Sequence, residues 1–267
     1  MAEPWAVTRY EGTDRERVFE LLRSVYPPVQ SARIIREWEW KYVSNPFNRA
    51  GDPNILLIND GLRVIGLLGA MAMRVSIGGR EHGMVNSGDW LVHPGYVGEA
   101  IGRQAQKRYV AEEPFAMFWA NAISNRLLRP FPNAQTRRIF PLVSLTHLPH
   151  PLAPAASETI RVEAVAALNE QFDALWQSAQ RDYPVISRRD RRFLQWRFFS
   201  RPGVAYTVLA ATRGDQWSGY LVLRLAERGH GLRAYLVDWL VKDKSTQGLA
   251  LLTRAAIGRA RDAGAVF

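Results

Sequence analysis

The chain contains one plan twice. GDWLVHP at 88–94 returns as VDWLVKD at 237–243, with DWLV unchanged. REWEWKYVSNP (36–46) is matched by RFLQWRFFSRP (192–202), each aromatic, basic and ended by a proline break. NILLINDGLRVIGLLGAMAMRV (54–75) is matched by AYTVLAATRGDQWSGYLVLRLA (205–226). Each of these is a β-rich run, a polar turn with glycine and a second β-rich run, which is the pattern of a hairpin. The starts agree too, VTRY against TIRV, each leading into a helix, over 14–26 and about 168–181. Arg9 and Arg161 are 152 residues apart, Trp40 and Trp196 156, Asp89 and Asp238 149. Matches in one order at a near-constant offset mean two copies of a domain. The proline-rich LPHPLAPAAS (148–157) joins them, so residues 1–150 form one domain and 158–267 a second.

Each copy reads strand, helix, helix, hairpin, strand, helix. Helices mixed with antiparallel hairpins give an α/β class of the α+β kind, a mixed sheet with helices packed on it. In the first helix, Thr13 and Glu16 are placed for a capping box, and Val18, Leu21, Leu22 and Val25 share a face. The second helix of copy two is predicted to begin at Ser187, with Asp190 three residues on. The copies end differently. Copy one runs on through a strand-like FAMFWAN (115–121), a short helix and RIFPLVSL (138–145). Copy two has a helix at about 246–262 and then only an apolar GAVF. That pattern is expected of a second copy truncated at its C-terminus, the chain being a fragment or its tail coming from a partner.

Hydrophobic residues make up 47 %, enough for a sizeable core. There is no cysteine, which excludes disulfides, thiolate metal sites and cysteine nucleophiles. No metal is expected. MAEPWAVTRYEG has no basic region followed by an apolar run, and the longest apolar run, VIGLLGAMAM (64–73), is about half a membrane span. A soluble, cytoplasmic protein is expected. The net charge of +10 is almost wholly arginine, with four lysines. The arginines are scattered, the densest cluster being SRRDRR (187–192), which argues against a nucleic-acid surface. A basic chain still attracts an anionic ligand.

GDWLVHPGYVGEAIGRQ (88–104) is where such a ligand would sit. It reads as a strand, a glycine-containing turn and a helix. The first N–H groups of a helix have no internal partner and carry the positive end of its dipole. Gly98 and Gly102 let the backbone approach an anion, and Arg103 adds charge. The pattern V-H-P-x-Y-x-G-x-x-I-G resembles the signature of the GNAT superfamily of acyl-CoA N-acyltransferases. The order of elements in both copies is similar to that fold, so the chain resembles two tandem GNAT-like domains. In that family a Gln/Arg-x-x-Gly-x-Gly/Ala loop grips the coenzyme A pyrophosphate. The loop falls here on Val97, Gly98, Glu99, Ala100, Ile101 and Gly102. Val97 replaces the family's Gln/Arg, Ala100 its first signature glycine, and Glu99 a position that is often basic. Backbone N–H groups remain, so weakened rather than abolished binding is expected. Copy two has KDKSTQGLALL there, without the glycine pattern, and is expected to hold no coenzyme A.

The resemblance implies acetyl-CoA or another acyl-CoA as co-substrate and an amine as acceptor. Transfer needs a neutral amine, a polarised thioester carbonyl and a proton for the departing thiolate. The resemblance assigns the pantetheine to the backbone of Trp90, Leu91 and Val92, and further cofactor contacts to Asn121 and Ser124. Strand alternation puts Asp89, Leu91 and His93 on one face and Trp90 and Val92 on the other. Asp89 and His93 are the candidate bases, Tyr96 the candidate acid. Asp238 repeats Asp89 in a copy without the loop, so a structural bond to a neighbouring strand or loop stands beside the catalytic role. Glu81 and His82 read as a solvated turn within reach of an acceptor. The tyrosine usual in the family after the fifth strand is absent, Phe131 being the nearest aromatic. Trp38, Trp40, Tyr42 and Phe47, with Trp196, Phe198 and Phe199, fall in corresponding places and are expected to pack the second helix on the sheet. The implied activity is transfer of an acyl group, acetyl foremost, to a primary amine of a small molecule or sugar. The alternative is a catalytically inactive GNAT-like domain that binds a ligand or a protein. No membrane partner is expected.

Overall fold

The structure, a computed structural model, describes residues 5–49, 52–96, 101–112, 116–117, 160–229 and 231–265. The chain divides into two compact units, Met1–Val75 with Glu81–Arg138 and Ser76–Arg80 with Ile139–Phe267.

The first runs β1 (Ala6–Arg9), α1 (Arg15–Val25), α2 (Pro28–Trp38), β2 (Ile55–Asp60), β3 (Arg63–Ile77), β4 (Arg80–Val92), α3 (Ile101–Glu112) and β5 (Ala116–Met117). The strand order is β1-β2-β3-β4-β5. β1, β2 and β3 pair antiparallel, whereas β5 lies parallel to β4, pairing Val85 with Ala116 and Asn86 with Met117. A parallel neighbour needs a crossover, and α3 supplies it. The β3–β4 turn carries Gly78 at φ 57° and Gly79 at φ 82°, the two consecutive positive angles that favour glycine in a tight hairpin.

Two cores follow from the two faces of this sheet. One packs Val18, Leu21 and Leu22 of α1 and Trp38 and Tyr42 against Ile55, Leu57, Leu67 and Leu91. The other packs Ile101, Ala105 and Tyr109 of α3 against Leu56, Ile58, Leu68 and Val85. The start of α1 differs from the sequence expectation. A single 3₁₀ turn, Gly12–Asp14, precedes it, and Asp14 Oδ2 accepts the Glu11 N–H at 3.0 Å. Asp14 thus does the capping that Thr13 and Glu16 were expected to do, because the extra turn shifts the first free N–H groups toward Glu11.

The second unit runs β6 (Ile160–Val165), α4 (Gln171–Ala179), β7 (Val185–Ser187), α5 (Arg191–Leu194), β8 (Thr207–Arg213), β9 (Gln216–Arg228), β10 (Gly231–Val241) and α6 (Thr246–Asp262). Its sheet has the order β10-β9-β8-β6, all antiparallel. Ser187 does not begin a helix but ends a strand. Asp190 is itself the cap, its Oδ1 accepting the Phe193 N–H at 2.9 Å.

The repeat extends to irregular backbone. A single π-helical turn closes α2 at Glu39–Val43 and α5 at Gln195–Phe199, so both start and end 156 residues apart, as Trp40 and Trp196 do. The β2–β3 register shifts between Ile58 and Asn59, and the β8–β9 register between Ala211 and Thr212. A methyl added to Gly66 would lie 3.0 Å from the Leu91 carbonyl, and one added to Gly219 would lie 2.9 Å from that of Leu240. The aromatic groups pack as expected: Trp38, Trp40, Tyr42, Phe47, Trp196 and Phe198 are all buried, and Phe199 is partly so.

Candidate functional site

The site is built on β4 and the start of α3. Asp89 faces α2. Its Oδ2 accepts from Lys41 Nζ at 2.7 Å and from the Tyr42 hydroxyl at 2.6 Å. The π turn after α2 carries both donors. Burial and the Asp89 charge together push the Tyr42 phenol well above its ordinary range. Gly88 also faces these groups, since an added methyl would lie 2.8 Å from Lys41 Nζ and 2.9 Å from the Tyr42 oxygen. Two consecutive residues on one face mark a β-bulge. The second unit has a register shift at the matching place, between Leu236 and Asp238.

Beyond the bulge the expected alternation holds. Leu91 joins the α1–α2 core, and Trp90 and Val92 pack with Ile101, Ala105 and Tyr109. His93 and Tyr96 line a groove of about 260 Å³ with Arg17, Leu21, Ser24 and Leu62. His93 Nδ1 accepts the Gly95 N–H at 3.1 Å, which leaves Nε2 as its proton-bearing nitrogen when neutral. The Tyr96 hydroxyl donates to Asp60 Oδ2 at the end of β2. The structure therefore gathers Asp89, His93 and Tyr96 along one strand and its exit, with each side chain already bonded to the protein. Glu81 is exposed and His82 partly buried on the far end of β4.

α3 is described from Ile101, and among the described residues its first turn carries no acid. Gly102 rests on Trp90 and Val92, its missing methyl 3.6 Å from the indole Nε1. Arg103 is exposed, and Gln106 one turn further is fully buried. Val97, Gly98, Glu99, Ala100, Asn121, Ser124 and Phe131 lie outside the described residues.

The second unit repeats the carboxylate with other donors. Asp238 on β10 accepts from Arg189 Nε at 2.9 Å and from the Tyr220 hydroxyl at 2.9 Å. Burial, followed by the Asp238 charge, raises the Tyr220 phenol well above its usual range. After β10, Asp182 Oδ2 accepts the Asp243 N–H at 2.8 Å, and Ser245 Oγ accepts the Gly248 N–H at 3.1 Å. Two loop N–H groups at the start of α6 are thus taken by the protein itself. The arginine-rich run is also engaged: Arg188 pairs with Asp190, Arg189 with Asp238 and Arg191 with Asp173. Among the described residues no group of three or more His, Asp or Glu is placed to hold a metal ion, and no helix is long and apolar enough to cross a membrane.

Sequence reasoning missed Lys41 and Tyr42 as the partners of Asp89. Lys41 and Tyr42 sat inside an aromatic-basic motif read only as packing.

No protein-family model and no curated protein sequence matches the chain. Solved structures do. A GCN5-related N-acetyltransferase from Anabaena variabilis superposes with a TM-score of 0.64 at 14 % identity, over 96 % of this chain and 63 % of that one. The chain has a GNAT fold. A second GCN5-related N-acetyltransferase, from Kribbella flavida, gives 0.59 at 14 % identity, over 96 % of this chain and 62 % of that one. Saccharomyces cerevisiae N-myristoyltransferase with bound myristoyl-CoA gives 0.56 at 13 % identity, over all of this chain and 76 % of that one. The GNAT-fold chain spans under two thirds of the length of the two bacterial structures.

Proposed function

We propose that residues 1–150 and 158–267 are two GNAT-like domains, and that the first binds an acyl-CoA and passes its acyl group to a primary amine. The observation that carries this reading is the packing of α3 on β4. The α3-facing side chains of β4, Trp90 and Val92, pack against Gly102 and Ile101 in the first described turn of α3. In the N-myristoyltransferase matched over the whole of this chain, the bound ligand is an acyl-CoA. A methyl on Gly102 would stand in ordinary contact with Trp90 and Val92, 3.6 and 3.7 Å away, so the start of α3 lies close on β4.

The acyl-CoA supplies an activated thioester. The neutral amine nitrogen bonds to its carbonyl carbon as the carbon–sulfur bond breaks, the nitrogen gives up one proton, and the departing thiolate takes one. The β4 backbone at Trp90, Leu91 and Val92 orients the arm and polarises the carbonyl, so positioning and electrostatics supply most of the rate. Asp89 is the carboxylate nearest the centre of β4; an incoming ammonium competes there with Lys41. His93 Nε2 and the Tyr96 hydroxyl are the groups that exchange a proton at the strand's end.

The engagement of Asp89, Tyr96 and His93 by protein partners favours a second reading, a GNAT-like domain that binds its ligand without turnover. Calorimetric titration of acetyl-CoA, with dephosphorylated pantetheine as control, tests the binding. Micromolar affinity that needs the pyrophosphate supports the first step. Amine-dependent release of free thiol then separates the two readings. A folded sample that binds no acetyl-CoA would sink both as stated for this ligand.

A further inference from the structure

Three arginines that lie far apart in the sequence line one cavity of about 70 Å³ in the first unit. Arg9 ends β1, Arg74 stands on β3, and Arg49 belongs to the loop between α2 and β2. Two of them converge on one point. A methyl added to Gly83 of β4 would lie 3.5 Å from Arg49 Nη2 and 3.6 Å from Arg74 Nη1. Asp52 is the one acid lining the cavity among the described residues, and it already pairs with Arg9, which also pairs with Glu112. Like charges held this close repel, so the arrangement favours an anion between them.

The cavity is held in place and reachable. Buried Phe47, Ala72 and Val85 give it an apolar lining, while Arg49 and Asp52 are exposed. The buried Asn45 amide ties the Arg49 loop to β3 by donating to the Ala72 carbonyl at 3.0 Å. The Asp52 N–H donates to the Arg49 carbonyl at 2.7 Å. A cavity needs about 10–15 Å³ to hold one water, so this one has room for a five-atom oxyanion. The apolar lining lowers the local dielectric and strengthens each ionic hydrogen bond made beside it. The cavity is also remote from the site on β4 and the start of α3. Gly83 precedes Asp89 by roughly 20 Å of extended strand, and Arg9 reaches Glu112, the last residue of α3, not its start.

We infer that this cavity is a phosphate-binding site, in which Arg49 and Arg74 grip a phosphate dianion beside Gly83. A dianion matches two guanidinium groups in charge, and each planar fork donates to two oxygens at once. Arg9 stands beside them with its charge balanced by Asp52 and Glu112. The inference does not depend on the acyl-CoA reading.

The test follows the melting temperature of the full chain as inorganic phosphate rises, at about pH 8 and constant ionic strength, and takes the affinity from the concentration dependence. Arg74→Gln removes one cation. Gly83→Ala keeps both and puts a methyl at the point of convergence, in ordinary contact with the two guanidiniums. Arg36→Gln removes an exposed charge on α2. Phosphate should bind at least about tenfold more weakly to Arg74→Gln and to Gly83→Ala, and within about twofold of wild type to Arg36→Gln. Free Gly83→Ala should melt at or above the wild-type temperature, since glycine weakens a strand. No phosphate-dependent rise in wild type overturns the inference. So does an equal loss in Arg36→Gln, which would mean that phosphate reads net charge alone, and so does undiminished binding by Gly83→Ala. Acetate binding as tightly as phosphate overturns the dianion assignment in favour of a carboxylate ligand. Coenzyme A, titrated by calorimetry, should bind Arg74→Gln as it binds wild type. A matching loss of both ligands would place the cavity within the acyl-CoA site and overturn its independence. A wild type that binds phosphate here and no coenzyme A upholds the inference and sinks the acyl-CoA reading.

Discussion

The Tyr42 hydroxyl donates to Asp89 across 2.6 Å, and in the second unit Tyr220 donates to Asp238 across 2.9 Å from a different element. Tyr42 stands on the π turn after α2; Tyr220 stands on β9. The repeat preserves the bonded carboxylate while exchanging the residue that bonds it. Each carboxylate also holds one cation, Lys41 or Arg189. Removing Asp89 strands a lysine that is only 17 % exposed. Asp89→Ala is expected to cost about 3–5 kcal/mol, and Tyr42→Phe, which keeps the ion pair, about 1.5–3 kcal/mol. Urea denaturation midpoints at constant slope check both. A change under about 0.5 kcal/mol in Asp89→Ala would mean that the carboxylate is not structural.

The same two phenols predict an alkaline weakness. Tyr42 and Tyr220 have folded pKa values raised well above the ordinary value of about 10. Above that pH the unfolded chain releases these protons and the folded protein retains them. The folded state then binds more protons, so stability falls as pH rises. The contribution is complete below about pH 10 and is lost progressively above it. Tyr42→Phe should be less stable at pH 7 and show a shallower decline above pH 10. Thermal melts from pH 8 to 11 measure this, and ultraviolet titration should show the two phenols ionising only with unfolding.

Much of this was legible in the sequence, for a physical reason. DWLV and the aromatic motif survive in both copies because Leu91, Leu240, Trp40 and Trp196 are buried against rigid neighbours. Strand alternation located Asp89, Leu91 and His93 on one face. The hydroxyl exchange was not legible. By the sequence offset Phe198 stands at the position of Tyr42, and by the matching register shifts, 153 residues apart, Leu67 stands at that of Tyr220, so a position-by-position comparison shows two unrelated changes. Only folding brings residues 42 and 89 together, and the bulge that aims Gly88 and Asp89 the same way breaks the period-two rule. Helix starts were misjudged for a related reason. Thr13 and Ser187 are good caps by type, yet Asp14 and Asp190 accept the N–H bonds because the chain first makes a 3₁₀ turn or a strand.

Gly88 should tolerate no side chain. A methyl there would lie 2.8 Å from the Lys41 ammonium and 2.9 Å from the Tyr42 oxygen. Lysine can swing away, but Tyr42 is fixed by its burial, so strain falls on β4. Gly88→Ala is expected to destabilise by about 1–3 kcal/mol. Gly12→Ala is the control, because nothing lies within 4 Å of its added methyl. Equal denaturation midpoints for the two variants would refute the bulge geometry.

The loop after β10 predicts one acyl-CoA per chain. Its N–H groups at Asp243 and Gly248 are already bonded by Asp182 and Ser245. Asp243 and Lys244 also hold positive φ angles of 56° and 49°, which non-glycine residues seldom adopt. An anion would have to displace a carboxylate and a cap and relax that backbone. Ser245→Ala is therefore expected to cost about 1 kcal/mol through the lost cap, with coenzyme A affinity unchanged. Asp182→Ala frees the Asp243 N–H but leaves the backbone in place, so calorimetric stoichiometry should stay at one ligand per chain in both variants. A second ligand in Asp182→Ala would mean that the aspartate alone had been closing a competent site. Loss of the single ligand in Ser245→Ala would place the binding in the second unit and reverse the assignment made to β4 and α3.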